Sequence, residues 1–572
     1  MKSKEWLISL GLAVVLVVAF ALPSCTGEPT EYWYSPEDEK IEFTLTTTGA
    51  YQAMGLQVAT DLQDFGLDVD FEVIDSSTFW EYIYEPNLPG GLQAFIAEEG
   101  PSPDPLSDWI WEMLADPESW GYLWNPCWYD STEYDDLMVQ NYLSKNLTEK
   151  QGILFDLQEL VATDIPMVYL VRGDNLGACR IDRWDNWYGT VGGYVSWLNE
   201  YSIRDVTPTE ANTDHQLRIA VEVLQGSLDM DVENLQYSDA GALYLSMSYE
   251  NLAAYPRFDE QSAYDFVPEL ALNYTVSYES DGTGGQNQIW TINLREDVKW
   301  HDHNITGETL DADDVIYTIQ YITSRNTPNK PVNWTAAEAG GGEVLPQHML
   351  VTKTGQYQVQ LRYIEDYHQN EDFIPCVYLW DPVVPKHKFE GQDPFEYDGD
   401  YVGTGPFKVK EFVAGEYLLL ERFDDYWGPL PEAEEVLLRL FEASGPMWLA
   451  FEAGEIDNVA ATSIPFAKVD SYEADPDIGF EVLPGLEIYY LGFNLHPTAG
   501  YEHLQDLALR EAIAAAINKQ NIVDLVLGGY GEIADCWIYS ESENKHPDLP
   551  NTDYDLTLAE SILTSAGYTK HA

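Results

Sequence analysis

Apolar and polar residues alternate from Ile41 to Thr46, the period of a half-buried strand. Apolar side chains then recur at Met54, Val58, Leu62 and Phe65, which is helical spacing. Gly66 follows, where a helix C-terminus wants a residue tolerant of positive φ. Val69 to Val73 alternates again, so residues 41–74 predict a β-α-β unit. Farther on, Thr148 to Val161 reads as an amphipathic helix, Ile165 to Val171 as a buried strand and Gln216 to Val223 as another strand. Between them, residues 206–216 have the composition of a linker. Ile289 to Trp300 places Trp290, Ile292 and Leu294 on one face. Thr309 is the predicted cap of a helix that aligns Val315, Ile316, Ile319 and Ile322. Gly403 to Phe407 is a sharp turn before a strand pair, Lys408 to Phe423. A long helix is predicted from Asp506 through Ile513, Ile517 and Ile522 to Gly528-Gly529. Strands and helices mix with no internal period, which predicts an α/β protein and excludes a solenoid or propeller.

The N-terminus has a different pattern. Lys2 and Lys4 precede an apolar run from Trp6 to Leu22, then Leu22-Pro23-Ser24-Cys25. A basic start, an apolar stretch and small residues before a cleavage point describe an export signal. Cys25 in that setting is the expected lipidation site, with residues 26–40 as a tether. The alternative is an uncleaved membrane anchor, for which the run is slightly short of the roughly 20 residues a span needs. Either way the body is expected outside the cell, on the outer face of the membrane. Mass spectrometry of Cys25→Ala should show loss of the lipid; an unchanged anchored species would refute lipidation.

Composition sharpens this. Hydrophobic residues make up 45% of 572 and aromatics 13%, with 18 Trp and 38 Tyr, enough for large cores and an aromatic-lined cleft. The 28 Lys+Arg against 98 Asp+Glu give a net charge of −70, which repels nucleic acid and anionic lipid. It suits a solvated protein in a medium whose salt screens self-repulsion. Cys127, Cys179, Cys376 and Cys536 form no C-x-x-C pair, so neither a zinc site nor a redox motif is indicated. His301-Asp302-His303 reads as a turn, because three adjacent residues cannot all reach one ion without strain. Gly403-Thr404-Gly405 lacks the later Gly and Lys of a phosphate loop, and neither G-x-S-x-G nor H-E-x-x-H occurs. No metal, cofactor or catalytic residue is expected.

Several segments carry a resemblance. They are Trp290 to Val315 (WTINLREDVKWHDHNITGETLDADDV), Val384-Pro385-Lys386-His387, Gly403 to Phe407, and Phe451 to Asp457 (FEAGEID). To these add Tyr490 to Asn494 (YLGFN), Leu509 to Ile513 with Ala516 to Lys519, and Ala566-Gly567-Tyr568. In combination they resemble the solute-binding proteins of ABC importers for oligopeptides, dipeptides and nickel (family 5). One departure is His303, where the family has Gly, in a longer turn. In that family a strand, a helix and a second strand follow the Ala-Gly-Tyr loop. Here the matching segments lie at the front. Residues 41–74 resemble that unit, and Ser102 to Pro105 its Pro-Asp-Pro binding loop. Glu133 to Leu137 resembles its Glu-Tyr-Asp-x-Leu helix, and Asp164 to Leu170 its closing strand.

The resemblance implies an α/β, two-lobed periplasmic-binding-protein-like fold of type II, the large peptide-binding class, with its halves in permuted order. Residues 1–25 would be the signal segment, 41–205 the C-terminal half of the family pattern, 206–216 the junction and 217–572 the N-terminal half. The alternative is a piece of two tandem binding domains, each incomplete. The implied function is capture of a small solute, a peptide or similar, and delivery to a membrane ABC permease, by a monomer that catalyses nothing. In peptide-binding relatives an Asp just before the Pro-Asp-Pro loop takes the peptide ammonium. The aligned position here falls near Gly100-Pro101, which leaves Glu98, Glu99 or Asp104 to replace it. The expected ligand contacts are those three acids with Trp109, Trp111, Tyr489, Tyr490, Phe493 and Asn494. Two other classes stay open: a secreted hydrolase or glycan-processing enzyme, which needs a nucleophile beside a base, and a surface or signalling protein that kept the binding fold.

Overall fold

The β-α-β unit expected over 41–74 is present as Glu42–Thr48, helix α1 (Gln52–Phe65) and Asp68–Ile74. Helix α1 stops because Gly66 adopts φ 104°, turning its N–H back onto the Leu62 and Gln63 carbonyls. The computed structural model describes residues 31–84, 91–100, 109–115, 125–144, 147–190, 193–195, 199–222, 239–254, 257, 267–282, 284–324, 349–363, 382–391, 401–460, 464–498, 501–540, 542–550 and 553–572.

The strands of two large sheets are, in chain order, β1 (Glu42–Thr48), β2 (Asp68–Ile74), β3 (Ala94–Glu99), β4 (Met167–Gly173), β5 (Asn175–Arg180), β6 (Gln216–Glu222), β7 (Phe407–Val413), β8 (Tyr417–Arg422), β9 (Glu435–Phe441), β10 (Asn458–Val459), β11 (Ile478–Leu483), β12 (Ile488–Phe493) and β13 (Gly531–Ile533). One sheet has six strands in the order β13-β4-β12-β3-β1-β2. The other has seven, in the order β7-β8-β9-β6-β10-β5-β11. Each sheet is the centre of a lobe. Helix α1 and the helix Leu507–Ala516 cover one face of the six-stranded sheet, where Leu45, Val58, Leu62, Leu491 and Ile513 are fully buried. The other face packs Phe95, Tyr169, Tyr490, Trp111 and Trp537. A further sheet of four strands, from residues 271–280, 286–294, 349–355 and 358–363, buries Trp290 and Leu361 under the helix Ala312–Ser324.

The chain passes between the two lobes at two adjacent places. Strand β4 runs into β5 across Asp174 alone, and β11 runs into β12 across residues 484–487. The two crossings touch: a Cβ on Gly485 would fall 2.0 Å from the Gly173 carbonyl oxygen. Buried Arg172 donates to the Leu486 carbonyl and, at 2.6 Å, to that of Trp537. Beside the crossings, Phe466 of the seven-stranded lobe stacks on Tyr530 of the other lobe, with centroids 6.0 Å apart and planes at 11°.

Both lobes draw strands from both halves of the sequence, so 41–205 and 217–572 are not lobe boundaries. Nor is 206–216 a free linker. Thr207–Pro208 pairs with Trp184–Asp185, Asn212 is buried, and its side chain accepts from the His215 N–H at 3.1 Å. Short Asn and Asp side chains make turns as readily as linkers, and tertiary pairing decides which. Tyr32–Tyr34 pairs antiparallel with Thr569–His571, and Ile41 and Tyr568 share one buried cluster.

Two helix assignments also change. Thr309 forms a bridge with Lys299 and is not the cap. The helix Ala312–Ser324 is capped by Asp311, which accepts from the Asp313 N–H at 2.7 Å, while Asp314 reaches back to the Asp311 N–H at 3.0 Å. The long helix from Asp506 breaks after Ala516, because the Asn518 N–H turns to the Asp61 carboxylate at 2.9 Å instead of a helical carbonyl. A separate turn, Ile522–Val526, resumes beyond it.

Two of the resemblance-bearing motifs, the turns at Gly403 and His301, are held by close packing and hydrogen bonds. Gly403 and Gly405 press against Ser248, where added Cβ atoms would fall 1.8 Å from its carbonyl oxygen and 2.8 Å from its carbonyl carbon, respectively. The three residues His301, Asp302 and His303 point three ways. The His301 ring bonds the Gly405 carbonyl at 2.9 Å, Asp302 meets His387 at 3.1 Å and Lys388 at 3.2 Å, and His303 bonds the Glu308 carbonyl at 2.7 Å.

Candidate functional site

Strand directions locate the site. In the six-stranded sheet β1, β2 and β3 are mutually parallel, and the chain goes from β1 to its neighbour on one side, then across to the other. The switch point therefore lies between β1 and β3, and open α/β sheets bind ligands beyond the carboxyl ends of strands at such a point. In the seven-stranded sheet β9 and β10 lie parallel to β6, with β5 antiparallel to β10. Since β4 ends and β5 begins at the crossing, the carboxyl ends of the parallel strands in both lobes face the same cleft.

At the switch point stand Tyr51, which precedes α1, and Glu98, near the end of β3. Register sets Glu98 opposite Tyr489 of β12. The Tyr51 hydroxyl donates to Glu98 Oε1 at 2.8 Å, Tyr489 stands beside the same carboxylate as its cross-strand partner, and the two rings meet edge-on at 5.9 Å. All three side chains are half-buried. Burial pushes the Glu98 carboxyl above the usual carboxylate range, and the two neighbouring phenols pull it back. Glu487 lies beside the phenols and adds negative charge.

Strand alternation separates the other expected contacts. Glu99 is buried on the opposite face, paired in register with Ile488, so Glu98 and Glu99 cannot serve one pocket. Tyr490 lies on that opposite face too, fully buried against Phe95 and Trp537. Phe493 is core beneath α1, with no exposed surface. Asn494 is spent on structure: its amide donates to the Leu92 carbonyl at 2.9 Å, and its oxygen accepts from the His496 N–H at 3.0 Å. Trp111 is buried in the 3-10 helix Trp109–Leu114, where its carbonyl accepts from the Tyr134 hydroxyl at 2.7 Å. Cys25, Asp104 and the Trp109 side chain lie outside the described residues. Of the expected set, the geometry thus brings Glu98 and Tyr489 together and joins them to Tyr51, which sequence reasoning missed. The available signal was topological: Tyr51 occupies the turn after the first strand of a β-α-β unit.

The described cysteines are poor nucleophiles. Cys127, Cys179 and Cys536 are all buried, and burial pushes the thiols of Cys127 and Cys536 up to about 12. Among the described residues no group of His, Cys, Asp and Glu is arranged to hold a metal, and no helix is long and apolar enough to cross a membrane.

Two lobes joined by paired crossings, with strand ends converging on a cleft, define the architecture of an α/β binding protein. The profile for bacterial extracellular solute-binding proteins, family 5 Middle, matches residues 265–572, more than half of the chain, and the chain belongs to that family. It is 25% identical over 316 residues to the dipeptide-binding protein of Escherichia coli (strain K12), covering 54% of this chain and 56% of that protein. It is 26% identical over 291 residues to the oligopeptide-binding protein AppA of Bacillus subtilis (strain 168), covering 49% and 48%. The match to the nickel-binding periplasmic protein of Escherichia coli (strain K12) is 24% over 328 residues, covering 57% and 56%. The chain thus spans about half the length of these curated relatives. Among solved structures, NikZ from Campylobacter jejuni in complex with Ni(L-His) aligns with a TM-score of 0.45 and 19% identity, over 62% of this chain and 63% of that one.

Proposed function

We propose that this chain is an extracytoplasmic binding protein that captures a small solute, best a short peptide with a cationic end, in the cleft between the lobes and delivers it to an ABC importer. The observation that carries this is the Glu98 carboxylate at the switch point, beside both lobe crossings and flanked by phenols. A carboxylate and two aromatic rings suit an ammonium and the apolar groups beside it. The names of the relatives, dipeptide-binding and oligopeptide-binding, point the same way. Anchoring at Cys25, a monomeric state and the absence of catalysis belong to the same reading. The buried, high-pKa thiols weigh against the hydrolase alternative.

The permuted order is part of this proposal. It is supported by the pairing of Tyr32–Tyr34 with Thr569–His571, by the shared burial of Ile41 and Tyr568, and by sheets that mix strands from both halves. Two incomplete tandem domains would instead leave each half with its own unfinished sheet.

Calorimetry with di- to penta-peptides tests the capture. Glu98→Gln should weaken peptide binding by about two orders of magnitude, the scale of a buried ion pair left half-made. Glu99→Gln should change it less than about threefold, because strand alternation buries its carboxylate on the sheet face opposite Glu98. Equal affinities in wild type, Glu98→Gln and Asp104→Asn would remove the ammonium anchor and leave saccharides or metal chelates as better candidates.

A further inference from the structure

We infer that Tyr51 and Tyr489 are positioning residues that keep the Glu98 carboxylate ionised, making it an anchor for a cationic head group that acid releases. The nature of the head group, an ammonium or guanidinium, rests on the solute-capture reading above; the triad itself rests on geometry. Its members come from three distant segments: the turn after β1, the end of β3 and the start of β12. The Tyr51 hydroxyl stands 2.8 Å from Glu98 Oε1, and Tyr489 is the direct cross-strand partner of Glu98.

An ionised carboxylate offers about four acceptor sites, so two phenols leave room for a ligand donor. Both phenols can only donate to the charged form, so each favours ionisation. Burial opposes it. The turn before α1 contributes Tyr51, β12 contributes Tyr489, and Glu487, just before β12, lies beside both phenols. Protonated Glu98 loses its charge and with it the attraction for a cation. Tyr489 also follows the 484–487 crossing by two positions, so a hinge motion that shifts β12 shifts one of the two phenols holding the charge. A merely structural role, pinning the start of α1 to the sheet, would not require Glu98 to titrate with the phenols.

The folded-state pKa of Glu98 is raised above its ordinary value, and losing phenol donors raises it further. Below that pKa, affinity for a cation should fall about tenfold per pH unit.

The test uses the full chain and two readouts. Difference infrared spectroscopy, wild type against Glu98→Gln, follows the protonated carbonyl of Glu98 with pH and needs no ligand. Tyr51→Phe/Tyr489→Phe should move that midpoint upward by about one pH unit or more, and Tyr51→Phe alone should move it less, in the same direction. Calorimetry with trialanine should show affinity lost toward acid with the same midpoint, shifted in the phenol variants and flat in Glu98→Gln. N-acetyl-trialanine, which lacks the ammonium, should bind at least about tenfold more weakly at neutral pH. A midpoint unmoved in the single and double Phe variants overturns the inference whatever binds. An intact midpoint shift with no binding of either peptide upholds the phenol control of Glu98 and sinks the solute-capture reading instead.

Discussion

Replacing Asp457 with Ala should destabilise the seven-stranded lobe by about 3–5 kcal/mol, the range seen when one member of a buried charged pair is removed. Asp457 is fully buried at the end of the FEAGEID segment. Its Oδ1 accepts from Arg183 Nε at 2.7 Å. Its Oδ2 accepts from the indole of Trp184 at 3.1 Å and the backbone N–H of Arg218 at 2.9 Å. One carboxylate therefore ties β6, β10 and the segment after β5 together. The Ala variant leaves an indole N–H and a peptide N–H without their acceptor in the interior, each a separate desolvation cost, and leaves the Arg183 guanidinium with Asp214 as its remaining carboxylate partner. Asp457→Asn keeps the shape and one acceptor oxygen, so it should lose less. Urea unfolding followed by tryptophan fluorescence measures both; a loss under about 1 kcal/mol in the Ala variant would show that the three donors find other partners.

Gly403→Ala should be at least as damaging, about 3 kcal/mol or more, for a steric reason. The new methyl would stand 1.8 Å from the Ser248 carbonyl oxygen and 2.7 Å from its carbon. Neither side of the contact is free to retreat. The Gly403 carbonyl accepts from the His301 N–H at 2.9 Å, and the Gly405 N–H donates to that same Ser248 oxygen at 3.0 Å. The glycine is demanded by close approach, since its φ lies outside the positive region. Gly445→Ala is the control: nothing lies within 4 Å of the added Cβ, and it should be near neutral. Equal stability of the two variants would mean that the turn can be displaced at little cost.

Both residues sit in segments whose resemblance was legible in the sequence, and the structure explains why such segments are recognisable. Gly403 and Asp457 answer to a single backbone contact and a single set of donors, so almost no other side chain fits. The elements legible from periodicity were those whose pattern is local. The Met54, Val58, Leu62 and Phe65 stripe buries against one sheet, and Gly66 closes the helix with its own neighbours. The elements misread were those in which a distant group competes with a local one. The helix after Asp506 breaks because Asp61, from α1, captures the Asn518 N–H. Thr309 loses the cap because it is drawn into a bridge with Lys299, while Asp311 caps the Asp313 N–H and Asp314 reaches back to the Asp311 N–H.

The site divides in the same way. Sequence alone determined that the chain is α/β, that it carries the family's segments, and that acids and aromatics cluster near Glu98 and Tyr489. Those properties follow from local periodicity, composition and short motifs. Only the tertiary structure decided that Glu98 and Glu99 lie on opposite faces of the sheet with Glu99 buried, that Phe493 and Asn494 are structural, and that Tyr51 joins the carboxylate. Adjacent residues on a strand point to opposite faces, and which face is buried depends on pairing between β3 and β12, some four hundred residues apart in the chain, a register that no local pattern encodes.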